Sequence, residues 1–393
     1  MADISPPASP TDLSDALPKR YAKQWLRTRY AKLLDSADIA LNGPRPWDLQ
    51  VHDQRLYTRC LREGTLGLGD AYVEQWWDAE ALDEFFARLS GARVDERVVN
   101  LPRRLAGWLS RAVNLQSVQR ARQVAEAHYD LGNDLYRAML DPRMVYTCGY
   151  WANATGLDGA QTAKLDLACR KLGLQPGMRV LDIGCGWGSF ARFAAEHYGV
   201  TVTGVTISRE QASLAAEHCT GLPVEIRLED YRQTKGRFDR IASLGMFEHV
   251  GHKNYGPYMQ GVRRLLAPDG LFLLHTIGRN DRGDGVDPWV TRHIFPNSEI
   301  PSLARVVDAL DRVFVVEDLH NFGADYAPTL LAWRDNFQRH WGDSGAGLPP
   351  GFYRSWWYYL NMFAGVFRAR GLQLWQWVLS PQGVPGGYRR PAY

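Results

Sequence analysis

From residue 178 onward the chain alternates short apolar runs with amphipathic stretches. The runs 178–183, 200–207, 224–228, 238–244 and 270–276 have strand length and are bounded by turn residues, which is how buried strands read. Between them lie helical patterns such as Phe190-Ala191-Arg192-Phe193-Ala194-Ala195. Ser208, with Gln211 three residues on, marks another helix start as a capping box. The fifth run is entered through the turn Ala267-Pro268-Asp269-Gly270. Strands alternating with helices predict an α/β protein with a Rossmann-like, doubly wound parallel sheet. Ligands of such sheets sit beyond the carboxyl ends of the strands, so residues 184–188, 206–211, 229–232, 246–249 and His275 are expected along one rim.

The pattern before residue 178 predicts a smaller, mainly helical domain. Residues 1–18 are rich in Pro, Ser and Asp and read as a disordered tail. A helical pattern then carries Trp25, Leu26, Tyr30, Leu33 and Leu34 on one side. The stretch Gly64-Thr65-Leu66-Gly67-Leu68-Gly69-Asp70 lacks the Gly-Lys-Ser/Thr ending of a phosphate loop, so it is taken as a structural turn before an aromatic helix containing Trp76 and Trp77. Residues 98–125 contain Arg103, Arg104, Arg111, Arg120 and Arg122 and no acid. This basic amphipathic stretch suits either an anionic membrane surface or an ordinary solvated helix face. The domain boundaries expected are 19–122 for a lipid-contacting unit with its linker and 123–393 for a catalytic unit. Residues 128–134 and 141–151 are dense in polar groups and precede the first strand of the sheet, where they can fold over its opening; Asn133 and Asp134 serve equally well as a cap and turn.

Composition narrows the partners. In 393 residues, 46 Lys and Arg against 43 Asp and Glu leave a net charge of +3, too balanced to argue for nucleic acid. Five cysteines are odd in number and form no C-x-x-C pair, which points to reduced thiols in a cytoplasmic protein rather than a disulfide framework or a metal ribbon. There is no signal-peptide pattern and no run of about 18 apolar residues.

The chemistry centres on Val180-Leu181-Asp182-Ile183-Gly184-Cys185-Gly186-Trp187-Gly188. Glycines between a strand and a helix let a ligand approach the main chain, and the N–H groups of the first helical turn point toward it. A dinucleotide fingerprint would be G-x-G-x-x-G with an acid ending the second strand. Here the spacing is G-x-G-x-G, and Thr206-Ile207-Ser208 stands where the acid would be. An adenosine ligand without pyrophosphate fits better, with Gln211 toward the ribose and the Asp230-Tyr231 corner toward the adenine.

Eight stretches in register resemble bacterial cyclopropane-fatty-acyl-phospholipid synthases, relatives of the mycolic acid cyclopropane synthases. They are 64–69, 128–134, Tyr146-Thr147-Cys148, 180–188, Gly204-Val205-Thr206-Ile207-Ser208, Gly245-Met246-Phe247-Glu248-His249-Val250-Gly251, Leu274-His275-Thr276-Ile277-Gly278 and Asn321-Phe322-Gly323-Ala324-Asp325-Tyr326. Thr147 stands where the family often has Ser, and Arg143 where it often has an aromatic residue.

The resemblance implies an S-adenosylmethionine-dependent methyltransferase sheet and methylene transfer to the cis double bond of a phospholipid acyl chain, with bicarbonate as the base. It implies Cys148, Glu248, His275 and Tyr326, with the main chain of Ile277, around the bicarbonate. For the cofactor it implies Tyr146, Thr147, Asp182, Gly184, Gly186, Gly188, Thr206 and Ser208, beside Gln211, Asp230 and Tyr231. Glu248 beside an anion must share its proton or be neutralised by His275. Phe247 and Tyr150 are candidates to stabilise a passing cation. The aromatic stretch 353–377 reads as an acyl-tunnel wall or as core. The partners expected are an anionic phospholipid surface, met peripherally from the cytoplasmic side, and a second copy of the chain. Two alternatives stay open: a methyltransferase making methyl-branched or methylidene chains, and a non-catalytic lipid-binding protein.

Overall fold

The computed structural model describes residues 19–94, 133–282, 286–345 and 347–392. The expectations for the tail 1–18, the basic stretch 98–125 and residues 128–132 lie outside the described residues.

Helix Lys19–Asp35 leads into a small antiparallel pair, β1 (Gln50–Val51) and β2 (Trp77–Asp78), with helices Arg55–Glu63, Thr65–Val73 and Leu82–Gly91 around it. The glycine-rich stretch differs from expectation. Gly64, at φ 62°, makes the turn alone, and Gly67 and Gly69 lie inside the helix that follows. They are there for closeness: a Cβ on Gly69 would run into the Trp289 ring. Trp77 is fully buried and bonds the Leu68 carbonyl at 2.9 Å. Trp76 instead stays at the edge, with Arg55 and Arg59 over its ring at 4.4 and 4.9 Å.

These helices are packed into the far end of the chain. Helix Phe352–Arg368 lies against Leu82–Gly91 so closely that a Cβ on Gly365 would strike the main chain at Asp83 and Ala87. One apolar cluster runs from Leu34 through Phe85, Trp333, Tyr358 and Phe363 to Leu374.

The sheet has seven strands: β3 (Arg179–Ile183), β4 (Thr201–Thr206), β5 (Val224–Leu228), β6 (Phe238–Leu244), β7 (Leu266–Gly278), β8 (Val315–Asn321) and β9 (Gln373–Ser380). Their order is β5-β4-β3-β6-β7-β9-β8. The five strands expected from the hydrophobic pattern are the five parallel ones. Two corrections follow. The sheet is not wholly parallel, because β9 runs antiparallel between β7 and β8; and β7 begins at Leu266, so the Ala267-Pro268-Asp269-Gly270 segment belongs to an irregular start of that strand. Strand order reverses between β3 and β6, which opens a crevice at their carboxyl ends.

Candidate active site

The crevice is a cavity lined by Asp182, Gly184, Gly186, Thr206, Ser208, Gln211, Asp230, Tyr231 and, from above, Tyr146 and Thr147. Ten of the eleven residues expected around the cofactor therefore share one hollow. Gly184 sits at φ +78°, and a Cβ there would stand 2.7 Å from Met246, so the turn needs glycine for both conformation and space. Gly188 lies outside this lining; its bare Cα makes room for Ala215 of helix Arg209–His218 and for Cys219, which caps that helix. Ser208 caps that helix by accepting from the Gln211 N–H at 3.3 Å, while the Gln211 side chain turns to Thr206 (3.1 Å) rather than closing a reciprocal box. Asp230 is held by Arg232 at 2.6 and 2.8 Å. The Asp182 carboxyl is buried with Oδ2 unpaired among the described residues, and burial lifts its pKa to about 7. An orphaned carboxylate oxygen beside a glycine turn suits a ligand bearing positive charge, as S-adenosylmethionine does.

The loop over the cavity is held by residues that the sequence did not single out. Lys164 and Gln161, on helix Leu157–Lys171, donate to the Thr147 hydroxyl (2.7 Å) and carbonyl (2.8 Å). Lys164 is fully buried, and loss of water lowers its pKa to about 8. Thr329 accepts from the Gly149 N–H (3.1 Å) and the Trp151 indole (2.8 Å) and donates to the Asp325 carbonyl (2.8 Å). Asn133 accepts from the Trp187 indole at 3.0 Å, tying helix Asn133–Met139 to the glycine turn. A lysine in a helical stretch reads as a surface residue in sequence, which hides a buried one such as Lys164.

Glu248, His275, Cys148 and Tyr326 are not in the cavity lining. They stand at its border: Leu244, which lines it, pairs with His275 across β6 and β7, the Gly245 N–H donates to the His275 carbonyl at 2.9 Å, and Cys148 and Glu248 are among the groups acting on the Tyr326 hydroxyl. Glu248 accepts from the Ile277 N–H at 2.6 Å through Oε1, and Oε2 is buried without a partner among the described residues. Burial lifts its pKa to about 7, against the Ile277 bond that lowers it. His275 is driven well below the ordinary imidazole range by burial and then by Lys164 and Lys171. Burial thus favours the neutral imidazole, and of the two expected ways to tolerate Glu248 near an anion it supports proton sharing. The Gln376 amide N–H donates to His275 Nδ1 (3.2 Å), which leaves the proton on Nε2. Nε2 also has no partner among the described residues.

Tyr326 is buried, and its hydroxyl stays protonated: burial and the neighbouring Tyr359, Cys148 and Glu248 raise its pKa. Cys148 is fully buried, donates to the Gly149 carbonyl at 3.1 Å and has its thiol pKa raised well above normal. This is an inert thiol, not a nucleophile. Phe247 is stacked on Tyr255 at 4.3 Å in the core behind the sheet, so its ring face is not open to the site. Tyr150 packs on Phe322 and His320, and Phe322 lies 5.9 Å from His275.

The family model for mycolic acid cyclopropane synthetase matches residues 116–377. The chain is 49% identical over 361 residues to the cyclopropane-fatty-acyl-phospholipid synthase of Escherichia coli, covering 91% of this chain and 94% of that protein. It is 32% identical over 378 residues to the tuberculostearic acid methyltransferase UfaA1 of Mycobacterium tuberculosis, covering 89% and 87%. Its fold matches the crystal structure of mycolic acid cyclopropane synthase CmaA1 complexed with SAH and CTAB, with a TM-score of 0.61 and 34% identity over 66% of this chain and 97% of that one. Residues 19–94 fall outside the matched family region. With a glycine-turn cavity bordered by the buried Glu248 and His275 side chains, and with these matches along most of its length, the chain belongs to the mycolic acid cyclopropane synthetase family of S-adenosylmethionine-dependent enzymes.

Proposed function

We propose that the chain transfers a methylene group from S-adenosylmethionine to the cis double bond of unsaturated acyl chains in membrane phospholipids, forming cyclopropane rings. The observation that carries this reading is the pair of orphaned polar atoms, Glu248 Oε2 and His275 Nε2, buried one strand-end away from the cofactor cavity. When bound, S-adenosylmethionine supplies the activated methyl group and hydrogen carbonate supplies the base.

The chain's own residues have three tasks. The glycine turn and Asp182 bind and orient the cofactor. The Tyr146-Thr147-Cys148 loop, held down by Lys164, Gln161 and Thr329, excludes water that would intercept a carbocation. His275 Nε2–H donates to an oxyanion while Glu248, whose pKa of about 7 keeps a proton available, shares that proton with the same group. Tyr326 donates a further hydrogen bond, and Cys148 fills the wall. The chemistry of the donor set fits hydrogen carbonate, which both donates and accepts.

The substrate lies in a bilayer, and no helix among the described residues is long and apolar enough to cross one. We propose that the enzyme meets it peripherally from the cytoplasmic face, with anionic lipid and a second copy of the chain as partners; vesicle flotation and sedimentation test these two. The reaction is tested with purified protein, vesicles of unsaturated phospholipid and labelled S-adenosylmethionine, with and without hydrogen carbonate. Mass spectrometry should find ring-bearing chains, formed faster with hydrogen carbonate. Methyl-branched or methylidene products would replace the proposal with a plain methyltransferase, and failure to bind the cofactor by calorimetry would leave a lipid-binding protein.

A further inference from the structure

His275 stands at one end of a row of polar side chains that the chemistry above does not use. The register sets His275 of β7 opposite Gln376 of β9, and Gln376 opposite His320 of β8. Directly paired residues project from the same face of a sheet, with Cβ atoms about 5 Å apart. Helix Leu157–Lys171 packs on that face, where its Leu165, Ala168 and Cys169 share a cluster with Leu273 and Val378. Its last residue, Lys171, is fully buried and reaches His320 Nδ1 at 3.0 Å. Lys171 also lies 3.9 Å from Asp318, which Arg390 bonds at 2.9 and 3.0 Å. Phe322 lies against both imidazoles, 5.9 Å from His275 and 5.1 Å from His320. A buried cation is costly, and leucine or methionine would fill the same volume without that cost. The lysine therefore calls for a task beyond packing.

Hydrogen bonds run one way along this row. An ammonium only donates, so His320 Nδ1 accepts from Lys171 and the His320 proton sits on Nε2. Gln376 Oε1 is buried without a partner among the described residues, and the side chain opposite it is His320, so this oxygen is the acceptor available to the His320 N–H. With its oxygen toward β8, the Gln376 amide presents N–H to His275 Nδ1 at 3.2 Å, which leaves His275 Nε2–H for the oxyanion. We propose that Lys171 and His320 are positioning residues: the ammonium fixes the His320 tautomer, and His320, directly or through one water, holds the Gln376 amide in the orientation that makes His275 a donor. The inference rests on the proposed reaction for the task of His275 and goes beyond it in placing the control of that task at the sheet edge. The surrounding charges make the row sensitive to pH. Loss of water lowers the Lys171 pKa to about 7, with Asp318 opposing and Arg390 adding to the fall. Burial, Lys171 and Arg390 hold His320 at about 4 against Asp318, so it is neutral where Lys171 titrates. Tyr150, edge-on to His320, has its pKa raised by burial and stays un-ionised; Lys164, two turns before Lys171, is bonded to Thr147. The neutral amine of Lys171 can accept as well as donate, and the row is then free to reverse.

The test uses the full chain with isotopically labelled histidine and no substrate, in long-range proton–nitrogen NMR spectra that tell Nε2–H from Nδ1–H imidazoles. His275→Asn identifies the His275 signals by their loss. The parent chain should show His275 as Nε2–H at pH 6, with a share moving to Nδ1–H at pH 8. Lys171→Arg, which stays charged, should keep the Nε2–H form at both pH values, and Lys171→Met should lose it at both. Turnover of unsaturated phospholipid vesicles should fall about tenfold in Lys171→Met, the scale of losing an outer partner of a functional histidine, with KM for S-adenosylmethionine unchanged, and should recover in Lys171→Arg. His320→Phe, at a half-buried position of the edge strand, breaks the row from another element and repeats both losses should Lys171→Met fold poorly. His275 signals indifferent to Lys171→Met and His320→Phe, or a Lys171→Arg chain that behaves as Lys171→Met does, would overturn the inference. A tautomer that follows Lys171 in a chain forming no rings would refute the proposed reaction and uphold the row.

Discussion

Glu248→Gln should uncouple stability from turnover, and in opposite directions. A carboxyl with an ordinary pKa of 4.5 is held at about 7 inside the fold. Between those values the folded chain keeps a proton that the unfolded chain has released, so this group makes stability fall as pH rises from 4.5 to about 7. At about 1.4 kcal/mol per decade the accumulated cost above pH 7 is about 3 kcal/mol. Glutamine has the same shape and never ionises, so the variant avoids that cost. Relative to the parent chain it should be matched at pH 5 and more stable at pH 8, by an amount approaching that figure. Comparing the denaturant midpoints of the two proteins at both pH values isolates this residue, because every other titrating group is common to them. Turnover should fall about a hundredfold, the scale of losing a positioned proton-transfer group. Affinity for S-adenosylhomocysteine should hold within about twofold, well below the about tenfold that 1.4 kcal/mol represents, because Glu248 does not line the cofactor cavity. A variant destabilised equally at both pH values would refute the buried, proton-holding carboxyl, and a lost cofactor affinity would move Glu248 out of the base-holding role.

Three further outcomes are expected. His275→Ala should lower turnover about a hundredfold with cofactor affinity by calorimetry unchanged, whereas His275→Asn, which keeps a donor, should recover part of the loss. Gly184→Ala should weaken cofactor binding about tenfold or more, since a left-handed residue costs about 1–2 kcal/mol and its Cβ would stand 2.7 Å from Met246; calorimetry reads it directly. Iodoacetamide should modify none of the five buried cysteines under native conditions, and rapid labelling of Cys148 by peptide mass spectrometry would contradict its burial.

The parallel half of the sheet was legible because β3, β4 and β6 are buried strands, and such strands read as apolar runs. β8 was not, because Glu317, Asp318 and His320 break the pattern at an edge strand that needs only one apolar face. β9 was hidden for the opposite reason. Gln373–Ser380 is buried at every position, and its aromatic run continued the composition of the helix before it, so nothing marked the change from one period to the other. The cofactor turn was legible through its glycines, whereas the residues that fasten the overlying loop were not: Lys164 and Thr329 act through long-range contacts, the latter across 180 positions to Gly149. His275 could be placed at a strand end, but its protonation could not be read, since that depends on Gln376 of β9.

The partner that fixes the His275 tautomer arrives 101 positions later in the chain, on a strand threaded between two others already made. Position 275 therefore answers to a residue that no local stretch of sequence contains: exchanging Gln376 would reach the imidazole from the neighbouring strand while leaving every side chain of the glycine-turn cavity in place.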